Sequence, residues 1–233
     1  MERTFASGEH LFSRWLIFIA GLMIMSFGIA MMIRAELGSA PWDVLHIGLQ
    51  SQLGLTVGTW SIIIGIFIIG TTSLLLKELP QAGGIVNMVL VGVFIDIFLF
   101  LLSTPDLFFM KLLMLLTGII IIGYGIGIYI APECGAGPRD SLMIALQEKT
   151  GWKVSRVRGI MEITVLTAGW LLGGPVFLGT ILFCFGIGQV VGFALPQCRK
   201  LVHRFIERGV NSENINQGTV RTNYNDGISK KIR

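Results

Sequence analysis

Residues 36–57 read ELGSAPWDVLHIGLQSQLGLTV, and residues 133–154 read ECGAGPRDSLMIALQEKTGWKV. The second stretch lies 97 residues after the first. Ten of the 22 positions are identical without a gap, among them Glu36/Glu133, Gly38/Gly135, Pro41/Pro138, Asp43/Asp140 and Gly54/Gly151. Small residues replace small ones at Ser39/Ala136, Ala40/Gly137 and Gly48/Ala145. Each copy is flanked by long apolar segments. Duplicated halves in such a chain are the mark of an internally symmetric membrane protein.

Composition sets the class. Apolar residues make up 53% of the chain and charged residues 14%, against about 25% charged in soluble domains. Six stretches, 15–33, 57–76, 84–103, 110–130, 157–173 and 177–195, are apolar enough to cross a bilayer core, which takes about 20 helical residues. Each motif copy begins a helix of about 13 residues, roughly 20 Å long, which is too short to span. The expected fold is therefore all-α and polytopic: six transmembrane helices plus two short non-spanning ones. The chain divides into a tail (1–13), a first membrane repeat (14–103), a second (110–197), and a basic juxtamembrane helix with a disordered tail (198–233). The first segment reads as a span, because its apolar run exceeds the roughly 7–15 residues of a signal peptide.

Three spans per half is an odd number, so the second half must enter the membrane from the opposite side, an inverted-topology repeat. Charge placement agrees. With both termini cytoplasmic, 16 of the 18 Lys and Arg fall inside, and only Arg34 and Lys111 fall outside, as the positive-inside bias requires. Three cysteines, Cys134, Cys184 and Cys198, are too few for a disulfide framework and are expected as free thiols.

The Gly38-Ser39-Ala40-Pro41-Trp42-Asp43 pattern, repeated as Gly135-Ala136-Gly137-Pro138-Arg139-Asp140, resembles the YczE group of bacterial integral membrane proteins, related to the YitT group. The resemblance covers about residues 12–198. It implies a bacterial plasma-membrane location and carries no catalytic residues with it.

Two readings of the motif stand side by side. In the structural one, Pro takes the first helical position, where its missing N–H is harmless. Asp43 and Asp140 then accept exposed N–H groups in the first turn, and the preceding glycines turn the backbone. In the functional one, the short helices dip in from opposite faces, their N-termini meet near the midplane, and the aspartates face a substrate or ion. Flat placement at the two interfaces is the alternative. Trp42 favours the interface, whereas the low charge after Asp43 permits burial.

Asp96 and Glu162 lie inside predicted spans, where ionisable groups are costly and face the bundle interior or a wet cavity. Arg158, four residues before Glu162, offers it a local pair; Asp96 has no such neighbour. Asn87 and Gln189 are further polar candidates. Gly123-x-x-x-Gly127 and Gly188-x-x-x-Gly192 read as close helix contacts.

No Walker A loop, zincin pair or nucleophile elbow is present. The three histidines, His10, His46 and His203, do not group by spacing into a metal site, so neither an enzyme nor a cofactor is expected. Met143 replaces His46 in the second copy, which argues against a symmetric role for His46. No nucleic-acid-reading motif accompanies the cationic residues. The partners expected are the lipid bilayer and a small solute or ion, with a homo-oligomer or another membrane protein left open. The leading expectation is a small-solute transporter with its site between the halves, built on Asp43, Asp140, Asp96 and Glu162 and shaped by Gly38, Pro41, Gly135 and Pro138. The alternative is a non-transporting regulatory, assembly or substrate-binding partner of another complex.

Overall fold

A computed structural model describes the backbone of residues 11–229 and the side chains of residues 11–205. The described residues form eight α-helices: α1 (Leu11–Arg34), α2 (Pro41–Leu53), α3 (Val57–Leu76), α4 (Ala82–Leu101), α5 (Phe108–Ile130), α6 (Pro138–Thr150), α7 (Val154–Leu171) and α8 (Leu178–Ser229). Five are long and apolar enough to cross a membrane: α1, α3, α4, α5 and the Leu178–Phe205 part of α8.

The sixth expected span, 157–173, forms α7 but does not meet that standard. Three charged residues, Arg156, Arg158 and Glu162, lie within its 18 residues. At the C-terminal end, α8 passes Pro196 and stays helical to Ser229, covering 209–229, where a disordered tail was expected. A helix already nucleated in an apolar span extends at little cost per residue.

The two short helices form where the motif places them, 13 residues each with Pro in the first turn. Their surroundings repeat residue by residue. Glu36 and Glu133 adopt φ 55° and 54°, and Gly38 and Gly135 adopt φ 104° and 142°, so both chains enter the helix through the same left-handed turn. Both helices stop at a glycine of positive φ, Gly54 and Gly151, whose N–H bonds the carbonyl of Gln50 or Gln147 at 2.9 Å. That is the glycine C-terminal stop.

At the centre α1 crosses α5 antiparallel, through glycines. The bare Cα of Gly21 lies against Tyr129 and that of Gly118 against Met32; Gly28 faces Ile122 and Gly125 faces Met25. Gly21/Gly118, Gly28/Gly125, Met25/Ile122 and Met32/Tyr129 are each 97 positions apart, so every contact has its counterpart. The same holds at the turns: Gly135 abuts Gly83, as Gly38 abuts Thr180. Arg14 donates to the carbonyl oxygens of Pro132 and Glu133, while Lys111 pairs with the Glu36 carboxylate at 2.6 Å. The Lys111 ammonium holds that exposed carboxyl below its ordinary range.

The short helices exchange partners, α2 packing on α7 and α6 on α3. One element breaks the correspondence. α3 packs closely on α4, with Gly58 against Gly92 and Gly65 against Met88, whereas α7 rests on α2 and α6 rather than on α8. Accordingly Gly123 and Gly127 make the expected close contacts, to Val190 and Cys198, but a methyl added at Gly188 or Gly192 would meet nothing within 4 Å. Those two glycines face the space that α7 leaves.

Candidate functional site: a cavity at the meeting point of the short helices

The N-termini of α2 and α6 come together. The Arg139 guanidinium lies over the Trp42 ring, 4.8 Å from its centroid, a cation–π contact between the two residues that occupy the same position in the motif. Trp42 is buried there.

Beside this contact lies a cavity of about 400 Å³ to which all eight helices contribute. One wall is apolar, formed by Met25, Ile29, Val91, Ile126 and Ile187 among others. The cavity's polar lining comprises Asp43 and His46 from α2, Arg139 and Asp140 from α6, and Arg158 and Glu162 from α7, among others. Cavities of a few hundred Å³, mostly apolar with a few convergent polar groups, are the usual form of small-molecule sites.

Three of the four acids picked out in the sequence thus meet in one place. Their local bonding differs. Asp140 Oδ2 accepts from the Tyr129 hydroxyl at 3.2 Å. Glu162 Oε1 lies 3.9 Å from Arg158 Nε, the local pair anticipated, yet both residues also face the cavity. Asp43 is 1% exposed, and its Oδ1 finds no hydrogen-bond donor among the described residues. The capping role expected of it is not made. His46, equally buried, brings Nδ1 to 3.8 Å from that oxygen, and Nδ1 too lacks a partner.

Asp96 stands apart from the cavity. Its Oδ1 accepts the Gly58 N–H at 2.8 Å and its Oδ2 the Thr56 hydroxyl, so it caps the first turn of α3 from the neighbouring α4. Asn87 lines the cavity near Gly137, whereas Gln189 is exposed and does not. Among the shaping residues, Pro138 lines the cavity, Pro41 is fully buried at the start of α2, and Gly38 and Gly135 hold the turns. Cys198, one of the three expected free thiols, is buried against Gly127.

Sequence reasoning missed His46, Arg139, Trp42 and Tyr129 as cavity residues. His46 follows Asp43 by three positions, the spacing that puts two side chains on one helix face, and that signal was available. The Trp42/Arg139 equivalence was likewise visible in the repeat. Tyr129, on a different helix from Asp140, carried no such signal.

The chain is similar to a family described as "Family of unknown function (DUF6198)", which matches residues 12–196. It is 45% identical over 201 residues to the "Uncharacterized membrane protein YczE" of Bacillus subtilis, covering 86% of this chain and 94% of that protein. An "Uncharacterized protein" of Haemophilus influenzae is 35% identical over 191 residues, 80% of this chain and 85% of that one. The "Uncharacterized protein YyaS" of Bacillus subtilis is 28% identical over 180 residues, 76% and 89% of the two chains. No solved structure matches.

Proposed function

The chain belongs to the DUF6198 family of unknown function and is an integral membrane protein; from that premise we propose that it is a small-solute transporter or permease with its site in the central cavity. The observation that carries this reading is the convergence of Asp43, Asp140 and Glu162 on one buried cavity where two broken-helix starts meet. Helix starts of this kind, aimed at each other across a repeat boundary, build substrate and ion sites in secondary transporters.

The accompanying architecture is an inverted repeat in the plasma membrane, with six crossings and both termini cytoplasmic. Its support is the set of contacts reciprocated 97 positions apart, and the antiparallel α1–α5 crossing. For α7 as the sixth crossing the support is positional. α6 starts beside Gly83, at the beginning of α4, and α8 starts beside Gly38, at the opposite end of the bundle. The chain must travel between those levels, and α7 is the helix that does so. Two of its three charged residues, Arg158 and Glu162, line the cavity. The missing α7–α8 packing leaves the second half looser than the first, the asymmetry expected of one state of an alternating-access cycle.

The test is flux. Proteoliposomes assayed for electrogenic or counterflow transport against pools of amines, amino acids, sugars and carboxylates should give a signal that Asp43→Asn/Asp140→Asn removes without loss of folded protein. Silence in every pool, with a stoichiometric protein partner retained through purification, would instead favour the regulatory reading. The exposed Lys149, Lys153 and Arg156 are the surface such a partner would contact.

A further inference from the structure

The two copies of the motif aspartate are not equivalent in the fold, and the difference points to a ligand. Asp140 has its donor in Tyr129. The position equivalent to Tyr129 in the first half is Met32, which has none to offer, and Asp43 Oδ1 is left bare. Next to it stands His46 Nδ1, also bare, where the second copy has Met143. In the neutral Nε2–H form of the ring, Nδ1 is an acceptor. With that tautomer two unpartnered acceptor atoms stand 3.8 Å apart, on two residues that line the cavity.

The surrounding cations do not fill that role. Arg139 is committed to the Trp42 ring and Arg158 to Glu162. The start of α2 contributes a partial positive charge of about half a unit, which offsets some of the Asp43 charge but puts no donor on Oδ1. A buried carboxylate oxygen without a donor is expensive. What satisfies it has to come from the cavity, carry N–H donors and be positive.

We propose that the cavity binds a small primary ammonium ion with a compact hydrocarbon body, its nitrogen bridging Asp43 Oδ1 and His46 Nδ1. A nitrogen about 2.8 Å from each acceptor, the ordinary length of a charge-assisted bond, spans a 3.8 Å gap at an angle of roughly 86°, narrower than the tetrahedral angle, so each N–H bond bends by roughly 12° from straight, which hydrogen bonds tolerate. The apolar wall of Met25, Ile29, Val91, Ile126 and Ile187 receives the hydrocarbon. An anion is disfavoured, because it would meet Asp43 and Glu162. This inference rests on the transport reading for its purpose but not for its test.

Cyclohexylammonium, cyclohexanol and cyclohexanecarboxylate share one hydrocarbon body and differ in the group presented to Asp43. Titration calorimetry on the purified full chain in detergent should show the ammonium binding at least about 10-fold tighter than the alcohol, with no detectable carboxylate binding; one charge-assisted hydrogen bond supports roughly that factor. Asp43→Asn should weaken the ammonium about 10-fold or more, and His46→Met several-fold, while Lys111→Met, far from the cavity, leaves it unchanged. Equal binding of alcohol and ammonium, preference for the carboxylate, no binding by any probe, or an unaltered affinity in Asp43→Asn each overturns the proposal. Should Asp43→Asn fail to fold, the probe contrast and His46→Met decide. Flux of another solute without ammonium binding would sink this inference and spare the transporter. Ammonium binding with no flux would do the reverse.

Discussion

Alanine at Gly28 and at Gly125 provides a quantitative check on the α1–α5 crossing. A methyl at Gly28 would sit 2.8 Å from the Gly118 carbonyl oxygen and from Ile122, and one at Gly125 would sit 2.5 Å from the Met25 nitrogen. Optimal carbon contacts lie near 3.5–4.0 Å, so α1 and α5 must separate by about 1 Å. A gap of that size forfeits a quarter to a half of each affected contact, and overpacking of this kind typically costs about 1–3 kcal/mol. Alanine also gains up to about 1 kcal/mol in helix propensity over glycine. Gly70→Ala isolates the clash, because a methyl there meets nothing within 4 Å and gains the same propensity. Unfolding by denaturing detergent, followed by tryptophan fluorescence, should place Gly28→Ala and Gly125→Ala each about 1–3 kcal/mol below Gly70→Ala, and close to one another. The double variant should cost less than the sum, since one separation relieves both clashes. If either single variant unfolds like Gly70→Ala, or if only one is costly, the reciprocal packing described above is wrong.

Two further expectations concern the ends of the short helices and the isolated acid. Asp96→Ala should destabilise the protein by about 1–2 kcal/mol, the usual worth of a lost helix cap, yet leave solute flux within about twofold. A flux defect at native stability would return Asp96 to the transport pathway. A chain carrying Trp42→Cys and Arg139→Cys, with the native cysteines replaced, should form an intramolecular crosslink with a short bis-maleimide. Helix starts held at opposite membrane interfaces, about 30 Å apart, would not.

Much of this fold was legible because it rests on local signals. Pro41 and Pro138 opened the short helices, Gly54 and Gly151 closed them, and apolar run length set the long helices to within a few residues, apart from the end of α8, which runs on past 195 to Ser229. α7 was the exception. Its helix was placed to within a few residues, but two of its charges, Arg158 and Glu162, belong to a cavity lining that only the folded arrangement creates. The fate of each acid was equally non-local. Asp96 finds its partners at Thr56 and Gly58, about 40 residues away on a neighbouring helix, so its structural role could not be read from its own surroundings. Asp43 and Asp140 look interchangeable in sequence. What separates them is that Tyr129 donates to Asp140, whereas Asp43 Oδ1 has no donor among the described residues, a difference set by how α5 and α1 meet the short helices. His46 was set aside because the second copy lacks it, yet it lines the cavity beside Asp43.

The measurement that bears most directly on the whole account is sidedness. Leu53 and Thr150 end the two short helices at equivalent positions, and both are exposed. Single cysteines at these positions, in a chain without Cys134, Cys184 and Cys198, can be challenged in intact cells with a membrane-impermeant maleimide. The account predicts labelling at position 53 and protection at position 150 until the cells are opened. Labelling of both from the same compartment would contradict it.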